Sequence, residues 1–580
     1  MRKFVPYLKP YKKAAILAPS LIVLEVICEL IIPLLMADII DIGLNGDGGM
    51  PLIWKRGALM LLLSVISLIS GVSSARFSSI AGQGFGKELR GSIFDKIQSF
   101  SFADIDRFSS ASLITRLTND VSALQMMVMM GLRMLVRAPV MLFTALVVCL
   151  TVNARLTLVL LIIVPLMAAA IFTLMRVCSR LFTVFQEKID ALNDTVQENL
   201  IAVRVVKAFV RGKYEHKKFQ TANDALRDAG LAAVMRVILM NPIMMLAMYG
   251  AILGVLWFGG NFVANGTMLS GDLYSFFTYI SQVLMSVMML AFSLLHLTRS
   301  GACAKRILEV LEAEPDIADA PGSHERVLPE KQGHVEFRNV TFKYRAGTGD
   351  NVLDNISLDI EPGSFVAVIG GTGTGKSTLV NLIPRFYDVT EGCVLVDGLD
   401  VREYPIEALR ERIGMVLQTN ILFSGTVREN LLWGDSEASE EQMIRAAKDA
   451  QAYDFIMAMP DGFDTKLEQG GVNVSGGQKQ RLCIARAMLR HPSILILDDS
   501  TSAVDSDTEA RIRESFHRNL KGTTVIIIAQ RISSVRHADK IILLDDDHIA
   551  GMGTHEELLE SSPIYREICM SQQEGGIGDV

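Results

Sequence analysis

Six apolar stretches constrain this chain more than any other feature. They fall near residues 15–40, 55–77, 131–152, 156–176, 238–260 and 276–298. Each is long enough to cross a bilayer, which takes about 20 residues. Hydrocarbon offers no hydrogen-bond partners, so a chain of this kind has to cross as helices that satisfy their own backbone. The first stretch follows Lys12 and Lys13 but is no signal peptide: it is too long, lacks a small-residue cleavage site and is followed by five more. Half of the residues are hydrophobic and the mean hydropathy is +0.34, too apolar for a soluble protein of 580 residues.

Charge gives an orientation. The segment between the second and third stretches carries Lys87, Arg90, Lys96, Arg107 and Arg116, and that between the fourth and fifth carries Arg180, Lys188, Arg204, Lys207, Arg211, Lys213, Lys217 and Lys218. The opposite loops, 41–53, 153–155 and 261–275, hold few basic residues. The positive-inside rule therefore expects both termini in the cytoplasm. The two basic segments read as long helices, broken at Ser101–Phe108 and Val210–Tyr214. Those breaks are expected to be turns far from the membrane, carrying short cross helices. The net charge of -7, with no basic face interleaved with aromatics, excludes a nucleic-acid binder. Cysteines 28, 149, 178, 303, 393, 483 and 569 show no C-x-x-C spacing and read as small buried hydrophobes in a reducing compartment.

Two carboxylates stand inside the first stretch. Glu25 and Glu29 are four apart, hence on one helix face. A charge at that depth costs about 2.5–3.5 kcal/mol on insertion scales. Either the pair faces a cavity and attracts cationic or amphipathic substrates, or it is structural, bonded to a neighbouring helix or protonated. Asp38 and Asp41 belong to the outer interface. The 28 methionines cluster at 126–134, 240–248 and 285–289, and flexible thioethers suit apolar surfaces that adapt. His296 reads as a packing residue.

The polar, Pro- and Gly-containing run 312–323 opens a linker to residue 333, and from His334 strands and helices alternate as in a parallel α/β core. Phe365–Ile369 is a buried strand, Gly370-Gly371-Thr372-Gly373-Thr374-Gly375-Lys376-Ser377 a phosphate loop, and a helix follows through Thr378. Backbone amides close on phosphates, Lys376 reaches the β- and γ-phosphates and Ser377 a magnesium ion. Tyr344 precedes the loop as an adenine-stacking candidate. Gln418 ends the strand 413–417, Ser475-Gly476-Gly477-Gln478 opens a helix, and Ile494–Leu497 runs into Asp498, a second magnesium ligand.

In that order, these motifs resemble a half-transporter of the ABC exporter superfamily, over residues 1–571. The resemblance rests on the phosphate loop, the Q-loop at Gln418 (a further magnesium ligand), the signature at 474–478, the Walker B run at 494–498, the D-loop Ser502–Asp505 and the stretch Glu198–Phe209. It implies an all-α six-helix transmembrane domain (1–311) with long cytoplasmic extensions, then an α/β ABC ATPase domain with a helical subdomain (334–571), and a flexible tail (572–580). It implies ATP and Mg²⁺, a head-to-tail dimer in which Ser475, Gly476, Gly477, Gln478 and Asp505 serve the partner's nucleotide, and coupling helices near 103–108 and 211–216.

The departures are informative. Val474 stands where the family has Leu. Asp499 stands at the position of the catalytic Glu, one methylene short, and Gln530 at that of the switch His, unable to carry charge. The resemblance then implies the slow-site subunit of a heterodimeric bacterial multidrug exporter, in the cytoplasmic membrane, whose partner carries Glu and His. Alternatives are a homodimer, a dedicated exporter of peptide, lipid or thiol/haem compound, a siderophore importer of exporter fold, or an ATP-binding membrane regulator.

Overall fold

The computed structural model describes residues 2–344, 349–499 and 504–574. They form two compact units, residues 1–98 with 111–313, and residues 99–110 with 314 onward.

The first unit is helical throughout. Its helices are α1 (Lys12–Asp38), α2 (Gly49–Gln98), then, after α3 (Phe102–Phe108) of the other unit, α4 (Ser110–Thr115), α5 (Val121–Val152), α6 (Ala154–Ile201), α7 (Val203–Ala208), α8 (Gly212–Ile238), α9 (Met240–Ala264) and α10 (Ser270–Leu311). Six of its helical segments are long and apolar enough to cross a membrane, as expected. Turns between them are tight. Asn153 alone separates α5 from α6, extended at φ -156°, with its side-chain oxygen accepting from the Leu156 amide at 3.1 Å.

One expectation needs correcting here. The short helix in this basic segment is α7, at Val203–Ala208, and residues 212–216 already begin the long α8. The break falls early because the backbone leaves helical geometry at Ala202 and turns back at Val210, whose φ is +53°. Ile201, Val205, Phe209 and Val210 are left exposed at this tip.

Glu25 and Glu29 are not a free acidic pair. Arg137 on α5 crosses to α1, donating through Nη1 to Glu25 and through Nη2 to both Glu29 oxygens at 2.8 Å. Glu25 is buried. On α2, a side chain at Gly71 would sit 3.1 Å from the Glu25 carboxylate, so glycine there lets three helices close around it. The structural alternative, bonding to a neighbouring helix, is the one the geometry realises. Arg137 was missed in the sequence although it too is a charge inside an apolar stretch, and such charges need partners. The His296 side chain lies outside the described residues.

The second unit is built on two sheets. β1 (Val335–Phe342), β2 (Leu353–Ile360), β4 (Glu391–Val396) and β5 (Leu399–Asp400) form an antiparallel sheet in the order β2-β1-β4-β5, with β3 (Phe365–Gly370) and α11 (Lys376–Leu382) falling between β2 and β4 in the chain. The chain continues through α12 (Ile406–Glu411), β6 (Ile413–Val416), β7 (Gly425–Thr426), α13 (Val427–Leu432), α14 (Glu440–Asp449), α15 (Tyr453–Met457), β8 (Lys466–Leu467), α16 (Gly476–Leu489), β9 (Ile494–Asp498), α17 (Ser506–Asn519), β10 (Thr524–Ile528), α18 (Ile532–Val535), β11 (Lys540–Asp545), β12 (His548–Gly553), α19 (His555–Ser561) and α20 (Pro563–Glu574). The main sheet has the order β12-β11-β3-β10-β9-β6, parallel except for the edge strand β12. Its central strands are buried along their length, which is why they read as unbroken apolar runs. Helices α13 to α16 pack together around Leu431, Met443, Ala447, Leu482 and Ile484.

One boundary moves. The last helix runs to Glu574, so residues 572–574 are not tail. The linker is not loose either: the Asp316 amide donates to Asp104 at 3.3 Å and Asp319 caps Ile406 at 2.7 Å. Asp104 and Ser101 form the capping box that starts α3. Phe102 of α3 packs on Phe386, ring centroids 4.4 Å apart, and Tyr387 donates to Asp106 at 3.2 Å.

Arg137→Met should strand two carboxylates at membrane depth and destabilise by about 3–5 kcal/mol, as breaking a buried ion pair does. The expected outcome is loss of monodisperse protein in size-exclusion chromatography. The triple change Glu25→Gln, Glu29→Gln, Arg137→Met should restore it.

Candidate functional site

Strand ends bring the phosphate loop and the two aspartates to one edge of the sheet. Ile528 of β10 pairs with Asp498 of β9 on one side and with Val368 of β3 on the other. The loop after β3, the Asp498–Asp499 pair and the turn carrying Gln530 therefore leave the sheet at nearly the same level.

The loop itself is shaped by glycine. Gly373 and Gly375 have φ of +89° and +82°, values at which a side chain is strained, and a Cβ on Gly375 would meet the Val352 carbonyl at 2.8 Å. Successive bare amides before α11 make the concavity that binds phosphate. Thr374 Oγ1 donates to the Gly371 carbonyl at 3.1 Å and braces the turn. Lys376 Nζ donates to the carbonyls of Gly370, at 3.0 Å, and Gly371. Burial pushes its pKa down, against the pull of Asp499 and Asp498.

Ser377 Oγ donates to Asp498 Oδ1 at 2.9 Å. Two hard oxygen donors this close fit a magnesium ion that keeps waters and phosphate oxygens as its other ligands. Asp498 is buried, and burial pushes its pKa up, helped by Asp499 and opposed by Ser377 and Lys376. Asp499 has φ of +49°, in the left-handed region where Asp is tolerated better than most residues. Its Oδ2 accepts from Gln530 Nε2 at 2.8 Å. Burial raises its pKa too, with Gln530, Lys376 and Arg531 working the other way.

The other expected site residues spread over several elements. Tyr344 lies two residues past β1, half exposed, its hydroxyl 2.8 Å from Thr378 Oγ1 and its ring edge-on to Tyr387 at 5.2 Å. Tyr387 was not singled out in the sequence, where the Phe386-Tyr387 pair gave no periodic or motif signal. Gln418 is exposed just beyond β6, whose Val416 pairs with Leu497. Ser475 and Gln478 hydrogen-bond to each other as the capping box of α16, with Gly476 and Gly477 in its first turn. Asp505 caps α17 through the Thr508 amide at 2.9 Å. Ser502 and Ala503 of the D-loop lie outside the described residues. Gly370 and Thr372 complete the loop.

The family models agree with this geometry. The ABC transporter transmembrane region matches residues 15–287 and the ABC transporter domain residues 353–502. The ABC transporter ATP-binding protein YfiB of Bacillus subtilis is 40% identical over 99% of this chain and 98% of its own length. The chain is an ABC exporter half-transporter. YgaD of Bacillus subtilis, provisionally named a multidrug export ATP-binding/permease protein, is 31% identical over 98% of both chains. The solved structure of a bacterial Atm1-family ABC exporter with ATP bound matches with a TM-score of 0.80 at 25% identity, covering 97% of this chain and 98% of that one. The half-transporter is thus a multi-pass membrane protein with an ATP-hydrolysing domain, working as a dimer.

The raised pKa of Asp498 fixes the sign of a test. A carboxyl raised in the fold stabilises at low pH, and that contribution is lost as pH rises through the raised value. At neutral pH the nucleotide-free exporter bears the cost of the buried charge. Asp498→Asn should therefore raise the thermal midpoint of the nucleotide-free exporter. It should also abolish the part of ATP stabilisation that EDTA removes from the wild type, as read by scanning fluorimetry.

Proposed function

We propose that this exporter is the slow-site half of a heterodimer that moves amphipathic compounds of the multidrug type out of a bacterial cell. The hydrogen bond between Gln530 Nε2 and Asp499 Oδ2, at 2.8 Å, carries the reading. A general base must place a free lone pair within hydrogen-bond reach of the attacking water. Asp499 is a methylene shorter than Glu, and one of its oxygens is engaged by a neutral amide. That amide can donate to a γ-phosphate but cannot lend it positive charge, as a protonated His can.

The rest of the cradle supports nucleotide binding. Gly370 to Thr378 and Tyr344 bind ATP, and Lys376 neutralises the β- and γ-phosphates. Ser377 and Asp498, with Gln418 from the Q-loop, hold Mg²⁺, which screens phosphate charge when bound. Ser475, Gly476, Gly477, Gln478 and Asp505 complete the partner's site, where Glu and His hydrolyse ATP. The termini and the nucleotide domain face the cytoplasm. The exposed tip at 201–210 serves as a docking element for the partner, the role the family resemblance implies for 211–216.

Support for this substrate class comes from the membrane unit. A cavity of about 330 Å³ is lined by Met127, Met130, Met134, Met285, Met288 and Phe292, the first and third methionine clusters of the sequence. Thioethers adapt to differently shaped apolar and aromatic groups. Glu25 and Glu29, engaged by Arg137, give little selectivity for cations.

Asp499→Glu with Gln530→His should raise ATP turnover of the purified chain by about 10-fold or more, since a general base contributes about 10²–10⁴. High turnover by the wild-type chain alone, unchanged by the double substitution, would refute the slow-site reading. So would a complex with its partner that keeps full turnover once the partner's catalytic Glu is replaced by Gln.

A further inference from the structure

The last helix is fastened to the turn that carries Gln530. α20 is anchored by Tyr565, fully buried, whose hydroxyl lies 2.8 Å from His555 Nδ1 of α19, and by the buried Cys569. Tyr565, Cys569 and Gln572 are spaced four and three residues apart, so they share one helix face. From that face the Gln572 side chain bridges the turn. Its Nε2 donates to the Gln530 carbonyl at 2.8 Å, and its Oε1 accepts from the Ile532 amide at 2.8 Å. A carboxamide presents donor and acceptor on one rigid plane, so one side chain holds both flanks of Arg531. The Gln530 side chain in turn holds Asp499.

We propose that Gln572 is a positioning residue for the ATP site. It sets the backbone at the switch position, and through it the distance at which residue 530 meets residue 499. The inference rests on reading residues 530 and 499 as switch and base positions, but not on their being slow. A clamp on the main chain acts whatever side chain residue 530 bears. Without it, the turn between β10 and α18 is free to shift, and the chemical step loses alignment while the phosphate loop, on β3 and α11, still binds ATP.

The test uses the purified full-length transporter in lipid nanodiscs, in the wild-type and Gln530→His backgrounds. Gln572→Ala removes both hydrogen bonds. Gln572→Glu keeps the packing and the Ile532 bond but sets an oxygen against the Gln530 carbonyl. Both should lower kcat for ATP by about threefold to tenfold, the range of one net hydrogen bond. KM and the thermal midpoint should stay put. Wild-type kcat in Gln572→Glu would overturn the proposal. So would a fall in thermal midpoint with a parallel rise in KM in both variants, which marks a packing role. The slow-site reading is decided by the Asp499→Glu, Gln530→His double substitution, whereas the effect of Gln572 within each background decides the positioning role.

Discussion

The register of three buried parallel strands holds the ATP site together. Val368, Ile528 and Asp498 stand side by side across β3, β10 and β9. A strand has a side-chain period of two, so a slip of one residue would turn Asp498 to the opposite face. The apolar runs prevent it: Val366, Val368, Ile494, Ile496, Ile526 and Ile528 fill one core layer, while Ala367, Leu495, Leu497, Val525 and Ile527 fill the other. The phosphate loop, Asp498 and the turn at Gln530 are therefore placed by hydrocarbon packing several residues below them.

The chain buries charge in two places and treats it in opposite ways. In the membrane unit, Arg137 meets both Glu25 and Glu29. Desolvated charges held by an opposite charge and hydrogen bonds belong to the architecture, and removing one partner is what harms it. At the ATP site, Asp498 and Asp499 lie close together with Ser377, Gln530, Arg531 and a partly desolvated Lys376 against them, and burial raises both carboxyls. A group held away from its preferred protonation state has something to gain from a ligand. Magnesium and nucleotide phosphate supply and neutralise charge there together.

Asp499 and Gln530 look different once seen as a pair. As single letters they are two departures from a motif. In the fold they are bonded to each other at 2.8 Å, on a backbone whose φ at 499 favours a short polar residue, and with a turn braced from α20. The two substitutions fit one another and leave Lys376, Ser377 and Asp498 in place.

The sequence by itself determined the class of the protein. Six apolar stretches, a strand–loop–helix phosphate motif and apolar runs ending in Asp498 are local features, governed by backbone satisfaction and periodicity, and they need no knowledge of neighbours. It also located Asp499, Gln530 and the Ser475–Gln478 turn. Tertiary structure alone decided which distant residues meet. Arg137 answers Glu25 from 112 positions away, and Gln572 reaches Gln530 from 42 away. Ser101–Phe108 belongs with the nucleotide domain, although it interrupts the membrane helices in sequence. The sequence expected a break at Val210–Tyr214, and Val210 is left-handed there, but the short helix lies before it, at 203–208. Pairing across such separations depends on how helices pack and where strands end, and one-dimensional periodicity carries no record of either.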